Sequence, residues 1–193
     1  MSELVTTRVA LHALAEHVIS PLRVQATGNE IALEPRPGGF GTPELPGGGW
    51  AGISGTDVVR ADGERRPIGS LRAAARFIGL DGDERLADDP LAIDPAAAAR
   101  LAQVWADGWA DLHALSASAQ RDLWPEHFDV AIDLHEVTYG VSPGDENHPE
   151  PYAYVAPWTA PPAGGFWNAT GFTGAEAPAA AAPALWRAAL QHL

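Results

Sequence analysis

The sequence predicts an α+β protein in which an antiparallel or mixed sheet packs against two main helices. Two stretches, about residues 3–19 and 95–117, carry apolar residues at three- and four-residue spacing. Elsewhere, short alternating apolar and polar runs are separated by Gly, Pro and Asp-Gly turn signals. These strand-like runs follow one another through short turns and do not alternate with helices, which disfavours a doubly wound parallel sheet. With 193 residues, 46% of them hydrophobic, the chain suits one buried core, so 1–193 is expected to form a single globular domain.

The first helix is expected from about Glu3 to Ile19, with Leu4, Leu11, Leu14, Ala15 and Val18 on one stripe and an interruption at Pro21. His12 and Glu16, four apart, would meet on one helix face. Ile31 and Leu33 alternate with polar neighbours. The run Pro37–Trp50, PGGFGTPELPGGGW, is too rich in Gly and Pro for a helix or central strand and is expected to be a loop. It does not cradle phosphate in the known way: no GxGxxG joins a strand to a helix, and no GK[ST] occurs. Asp62-Gly63 between two strand-like runs signals a type I′ hairpin. Ser70 caps a short helix over 71–78 that Gly79 ends.

The acidic loop DGDERLADD, 81–89, lacks the alternate ligands, central Gly and terminal Glu of a calcium-binding EF-hand loop. Asp94 and Pro95 then open the second long helix, whose apolar face is Leu101, Val104, Trp105, Gly108, Trp109, Leu112 and Leu115. Gly108 is placed to permit close approach of another element. Phe128, Val130, Ile132 and Leu134 alternate with Asp129, Ala131 and Asp133, so a strand with one polar face is expected. The alternation slips at His135-Glu136, where a turn or bulge would restore it. Strands are also expected at 152–156 and 166–172, a low-complexity linker at AEAPAAAAPA, and a closing helix over 184–193.

Composition narrows the chemistry. All twelve basic residues are arginine, and there is no cysteine. Lysine Schiff bases (including that of pyridoxal phosphate), P-loop lysines, thiolate nucleophiles, Cys-ligated zinc and iron–sulfur clusters are therefore excluded. The net charge of −13 opposes phosphate backbones and anionic membranes, so neither nucleic acid nor a membrane is an expected partner. The N-terminal residues do not form a secretory signal and no apolar run approaches a membrane span, so a soluble, cytoplasmic protein is expected.

Chemistry-bearing residues concentrate between Trp124 and Trp158. Gly140-Val-Ser-Pro-Gly144 matches GxSxG literally, but a nucleophile elbow needs the N–H of the residue after the serine, and Pro143 has none. Asp129 and Asp133 share a strand face about 13 Å apart, at about 3.3 Å per residue. That exceeds the roughly 5–9.5 Å of a glycosidase pair. The denser set is Glu126, His127 and Asp129, followed by Asp145, His148 and Glu150. If these converge, imidazole and carboxylate could hold a divalent Zn, Fe or Mn ion, although HxH and HExxH are both absent. The ordinary alternative is that Asp145 and Asn147 bond turn amides while His148 and Glu150 hydrogen-bond at the surface. Tyr152 and Tyr154 share a strand face and, with Phe40 of the glycine-rich run, could line a pocket for a flat or apolar ligand.

On WPEHFD (Trp124–Asp129), SPGD (Ser142–Asp145) and HPEPY (His148–Tyr152), the chain resembles an uncharacterised, mostly actinobacterial protein family. HALAEHVISPLR from His12, GGFGTP from Gly38 and SLRAAA from Ser70 extend the resemblance over most of the chain. It implies a single domain and no particular activity. His135 lies outside these motifs and is not included in the expected site.

Two readings follow. In the first, the protein binds or transforms a small molecule. Glu126, His127 and Asp145 are then the candidate catalytic residues, and Phe40, Tyr152, His148 and Glu150 the candidate ligand-binding residues. In the second, it is a non-catalytic interaction domain whose motifs only hold turns.

Overall fold

The helices start where capping residues place them. In the computed structural model, which describes residues 2–29, 32–161 and 164–193, Ser2 accepts from the Val5 amide and opens α1, Glu3–Leu14. Leu4, Leu11, Leu14, Ala15 and Val18 are all buried, as the spacing requires. The helix does not break before Pro21. It widens into a π-helical segment, Ala15–Ile19, and continues as α2, Ser20–Thr27, ending at left-handed Gly28. The Ser20 N–H reaches the Ala15 carbonyl, five residues back. Pro21 has no N–H to offer, so a one-residue register shift lets the helix run on through the proline. His12 does not pair with Glu16: its Nε2–H donates to the Pro125 and Glu126 carbonyls at 2.9 and 3.1 Å, and its ring stacks on Phe128. Of the expected Ile31/Leu33 alternation, Ile31 lies outside the described residues and Leu33 is buried.

The fold is α+β, but its strands divide into two five-stranded antiparallel sheets. The first runs in sequence order: β1 Glu34–Arg36, β2 Gly39–Gly41, β3 Ala51–Ser54, β4 Asp57–Arg60 and β5 Arg65–Pro67. β2 corrects the loop expected over 37–50. Its glycines are what make it a strand: a Cβ on Gly39 would stand 2.2 Å from the Ile53 carbonyl oxygen, and one on Gly52 2.3 Å from that of Phe40. Glycine here permits close backbone approach, which a propensity rule cannot see. The β4–β5 hairpin forms at Asp62-Gly63, yet only Gly63 has positive φ there. Gly63 N–H bonds the Arg60 carbonyl and Arg60 N–H the Glu64 carbonyl, so a three-residue turn replaces the expected type I′ pair. β5 places Arg65, Arg66 and Pro67 on the sheet's edge, which blunts it against further pairing.

Ser70 caps α3, Leu71–Ile78, and Gly79 ends it in the left-handed region. The acidic loop that follows is tied by arginine. Arg72 donates to the Leu86 and Glu84 carbonyls and reaches Asp88, while Arg76 bonds Asp83. Asp94 accepts from the Ala97 amide and opens α4, Pro95–Leu115.

The second sheet has the order β10-β9-β8-β7-β6. Its strands are β6 Asp122–Leu123, β7 Val130–Leu134, β8 Val137–Ser142, β9 Tyr152–Pro157 and β10 Ala175–Pro178. The phase slip after Leu134 is a tight turn: Leu134 pairs Val137, and His135 and Glu136 both take positive φ, 51° and 64°. That is the type I′ geometry that Asn-Gly adopts with less strain. β10 corrects the linker expected at AEAPAAAAPA, since Ala175, Glu176, Ala177 and Pro178 pair Val155, Tyr154, Ala153 and Tyr152. These residues have low strand propensity, but an edge position needs only one hydrogen-bonded side. Residues 166–172 are not a strand. A 3₁₀ turn, Ala179–Ala181, leads into α5, Ala182–Ala189.

By backbone proximity the chain forms two compact units: 1–103 with 123–128, and 104–122 with 129–193. In the first, Leu11, Leu14, Phe40, Ile53, Leu101 and Phe128 are buried. In the second, Trp105, Leu112, Val130, Tyr139, Val155 and Trp186 are buried. There Gly108 of α4 lies so close to the sheet that an added Cβ would stand 2.9 Å from a Val130 methyl. Among the described residues no helix is long and apolar enough to cross a membrane.

Candidate functional site

Register divides the second sheet into two faces. Val130, Val141 and Ala153 form one cross-strand row, and Ile132, Tyr139, Val155 and Ala175 the next; all are buried. The opposite face carries Ala131, Gly140, Tyr154 and Glu176 in one row and Ser142, Tyr152 and Pro178 in another. Alternation along the strands thus gathers the polar groups on one side.

Tyr154 anchors that face. Its hydroxyl donates to Asp129 Oδ2, and its ring lies over Gly140, where an added Cβ would come within 2.4 Å of it. Burial, and then the charge of Asp129 and its hydrogen bond to that carboxylate, push the Tyr154 phenol well above its ordinary pKa. The Trp186 indole N–H of α5 donates to the Tyr154 carbonyl at 3.2 Å. Tyr152 stands beside it, ring centroids 6.2 Å apart.

The 142–152 loop closes around Asp145. Its Oδ1 accepts from the Asn147 and His148 amides at 2.7 and 2.8 Å, and its Oδ2 from the Tyr152 hydroxyl at 2.7 Å. Burial alone would raise the Asp145 pKa. The Tyr152 hydroxyl, the two amides and the charge of His148 outweigh it and hold the carboxyl below its ordinary value. Burial and the bond to Asp145 in turn raise the Tyr152 phenol. Ser142 Oγ accepts from the Gly144 amide and Asp145 N–H bonds the His148 carbonyl, so the GxSxG serine sits in a turn.

His148 joins this loop to β10. Its Nε2 donates to Glu176 Oε1 at 3.1 Å, since a carboxylate only accepts. Its Nδ1 lies 3.4 Å from Asp145 Oδ1, an ion-pair distance, and its ring packs against Tyr152 with centroids 4.6 Å apart. Among the described residues, His148 Nδ1 and Glu176 Oε2 are both buried without a hydrogen-bond partner. The Asn168 side chain brackets Glu176, accepting from its N–H and donating to its carbonyl. Beside these groups opens a cleft of about 370 Å³ walled by His148, Glu150, Tyr152, Asn168, Glu176 and the surrounding prolines.

The structure therefore brings together Asp145, His148, Glu150 and Tyr152. It assigns Glu126, His127 and Phe40 to the other unit. Glu126 and His127 are exposed, and Phe40 is fully buried with its ring edge-on to Phe128. Among the described residues no three His, Asp or Glu side chains are grouped to hold a metal ion. Sequence reasoning missed Glu176 and Asn168. The one available signal for Glu176 was a lone carboxylate in an otherwise apolar Ala-Pro run, and Asn168 offered none.

Asp145 already accepts from three donors that hold its carboxyl below the ordinary range, so it organises the loop. The cleft wall offers a ligand the Glu176 and Glu150 carboxylates, the His148 ring and the Tyr152 ring. No family model, curated protein or solved structure matches the chain.

Proposed function

We propose that the second unit is a small-molecule-binding module whose ligand sits between the 142–152 loop and β10. The ligand carries a hydrogen-bond donor, such as an amine, amide N–H or hydroxyl, on a compact apolar body. The observation that carries this reading is Glu176 Oε2, a buried carboxylate oxygen in the cleft wall with no partner among the described residues. Buried polar atoms are satisfied in the large majority of cases, and a ligand donor would satisfy this one. The cleft volume falls within the small-ligand range of about 300–1,000 Å³. Pro149, Pro151, Pro178 and Ala177 supply an apolar wall. The chemistry favours recognition over turnover, because Asp145 and Tyr152 bond each other.

A second reading draws on the same three bonds to Asp145: the Asp145–His148–Glu176 contacts only clamp the loop to the sheet. One experiment separates the two. Alkylamines, primary amides and small polyols are titrated while amide NMR shifts are followed at 147–152 and 175–178. Ligand recognition predicts saturable shifts for one class, weakened about tenfold or more by Glu176→Gln, as befits losing a hydrogen bond to a charged group. No saturable shift with any class, or a Glu176→Gln variant that only melts earlier, supports the clamp and rejects the binding module.

A further inference from the structure

The first unit holds a larger cavity, about 630 Å³, where the π-helical segment, the start of α2 and residues 124–126 come together. Among the described residues its walls contain three carboxylates, those of Glu16, Asp81 and Glu126, and no basic side chain. Trp124 supplies an aromatic surface, and Val24 and Leu80 an aliphatic one. Gln25 is committed through its carbonyl, which accepts from the Asp81 amide at 2.9 Å. Glu16 Oε2 lies 4.0 Å from the His17 Nε2.

The π turn also changes the backbone beside the cavity. The Glu16 carbonyl would bond the Ser20 N–H in an α-helix or the residue-21 N–H in a π-helix. The Ser20 N–H is used on Ala15, and residue 21 is proline, so the helix supplies neither donor. π segments within α-helices recur at functional sites.

We infer that this cavity binds a small organic cation, an alkylammonium or guanidinium on an apolar body. The carboxylates balance the charge, Trp124 offers its ring to the cation, and the aliphatic wall takes the body. A compact divalent ion fits poorly, because no three ligating side chains converge among the described residues. A diffuse organic cation needs only nearby negative charge and an aromatic wall. This site is separate from the cleft of the second unit and does not depend on it.

The test is calorimetric titration of the full chain with benzylamine and agmatine, with benzyl alcohol as the neutral analogue and magnesium chloride as the inorganic control. The expected result is saturable binding of a cation and none of benzyl alcohol. Asp81→Asn with Glu126→Gln, both at exposed positions that preserve the fold, should weaken it about tenfold. Glu176→Gln should leave the binding that depends on Asp81 and Glu126 unchanged. The inference is overturned if benzyl alcohol binds equally well, if magnesium competes at equal concentration, if the double variant binds as tightly as the parent, or if no cation binds below about 10 mM. Loss of binding in Glu176→Gln alone would move the cation to the other cleft and also overturn it.

Discussion

Residues 124–129 and 142–152 look alike in sequence, each a proline-bearing run of carboxylate, imidazole and aromatic groups. Their fates differ. In the first, Pro125 and Phe128 are buried while Glu126 and His127 stay exposed, and the polar contact that His12 makes is to backbone carbonyls. In the second, Asp145, His148 and Tyr152 bond one another and Glu176. The difference lies in what each backbone does. Phe128 takes φ 58° and is held by its ring's burial among His12 and Phe40, so its neighbours remain outside. The 142–152 loop turns around a carboxylate, and Asp at the head of a turn recruits the amides that follow it. Polar density in a sequence marks both situations equally. Whether a backbone turn closes on the polar group separates them.

The strongest way to break this contrast is to disturb the polar face itself. Gly140→Val should cost about 3 kcal/mol or more, because its side chain must displace the Tyr154 ring from a packed sheet face. Urea unfolding checks this, and the cost should shrink in a Tyr154→Leu background. Asp129→Ala comes next. It strips the Tyr154 hydroxyl of its acceptor, and a buried hydroxyl without its charged partner costs about 2–3 kcal/mol. A loss below about 0.5 kcal/mol, within the range of ordinary surface changes, would mean the pair contributes little.

Asp145 sharpens the comparison through pH. Its carboxyl is held below the ordinary 3.8 by the bonds it accepts. The stabilisation is therefore fully present above that ordinary value and is lost as pH falls through the lower folded value. Asp145→Asn should flatten this part of the stability–pH curve and speed amide exchange at 147 and 148. An unchanged acid limb would show that the loop's closure does not rest on the charge.

A smaller effect is expected between the two stretches. His135→Asn with Glu136→Gly gives the type I′ turn its preferred residues and should raise stability by about 1 kcal/mol. The smallest is His127→Ala, within about 0.5 kcal/mol, as for an exposed side chain outside any bonded group. A loss above about 1 kcal/mol there would erase the distinction between the two stretches.

Local chemistry made much of this legible. Caps at Ser70 and Asp94, the buried stripe of α1, the alternation of β7, the turn at His135-Glu136 and the close approach at Gly108 all follow from spacing and side-chain type. So did the grouping of Asp145, His148, Glu150 and Tyr152 in one loop, and the turn in which Ser142 sits. What misled was composition. Glycine at 39–41 reads as loop and Ala-Glu-Ala-Pro at 175–178 reads as linker, yet both are strands.

The sequence by itself determined the α+β class, the starts of the helices that open at Glu3, Leu71 and Pro95, and the absence of thiol and lysine side chains, because capping, periodicity and residue identity act over a few neighbours. Only the tertiary structure decided that there are two sheets, that Phe40 belongs to a core, and that Glu176 stands beside His148. Those facts depend on strand pairing between residues far apart in the chain. Pairing is fixed by which backbones can approach and which faces can be buried, and a local pattern carries no record of either.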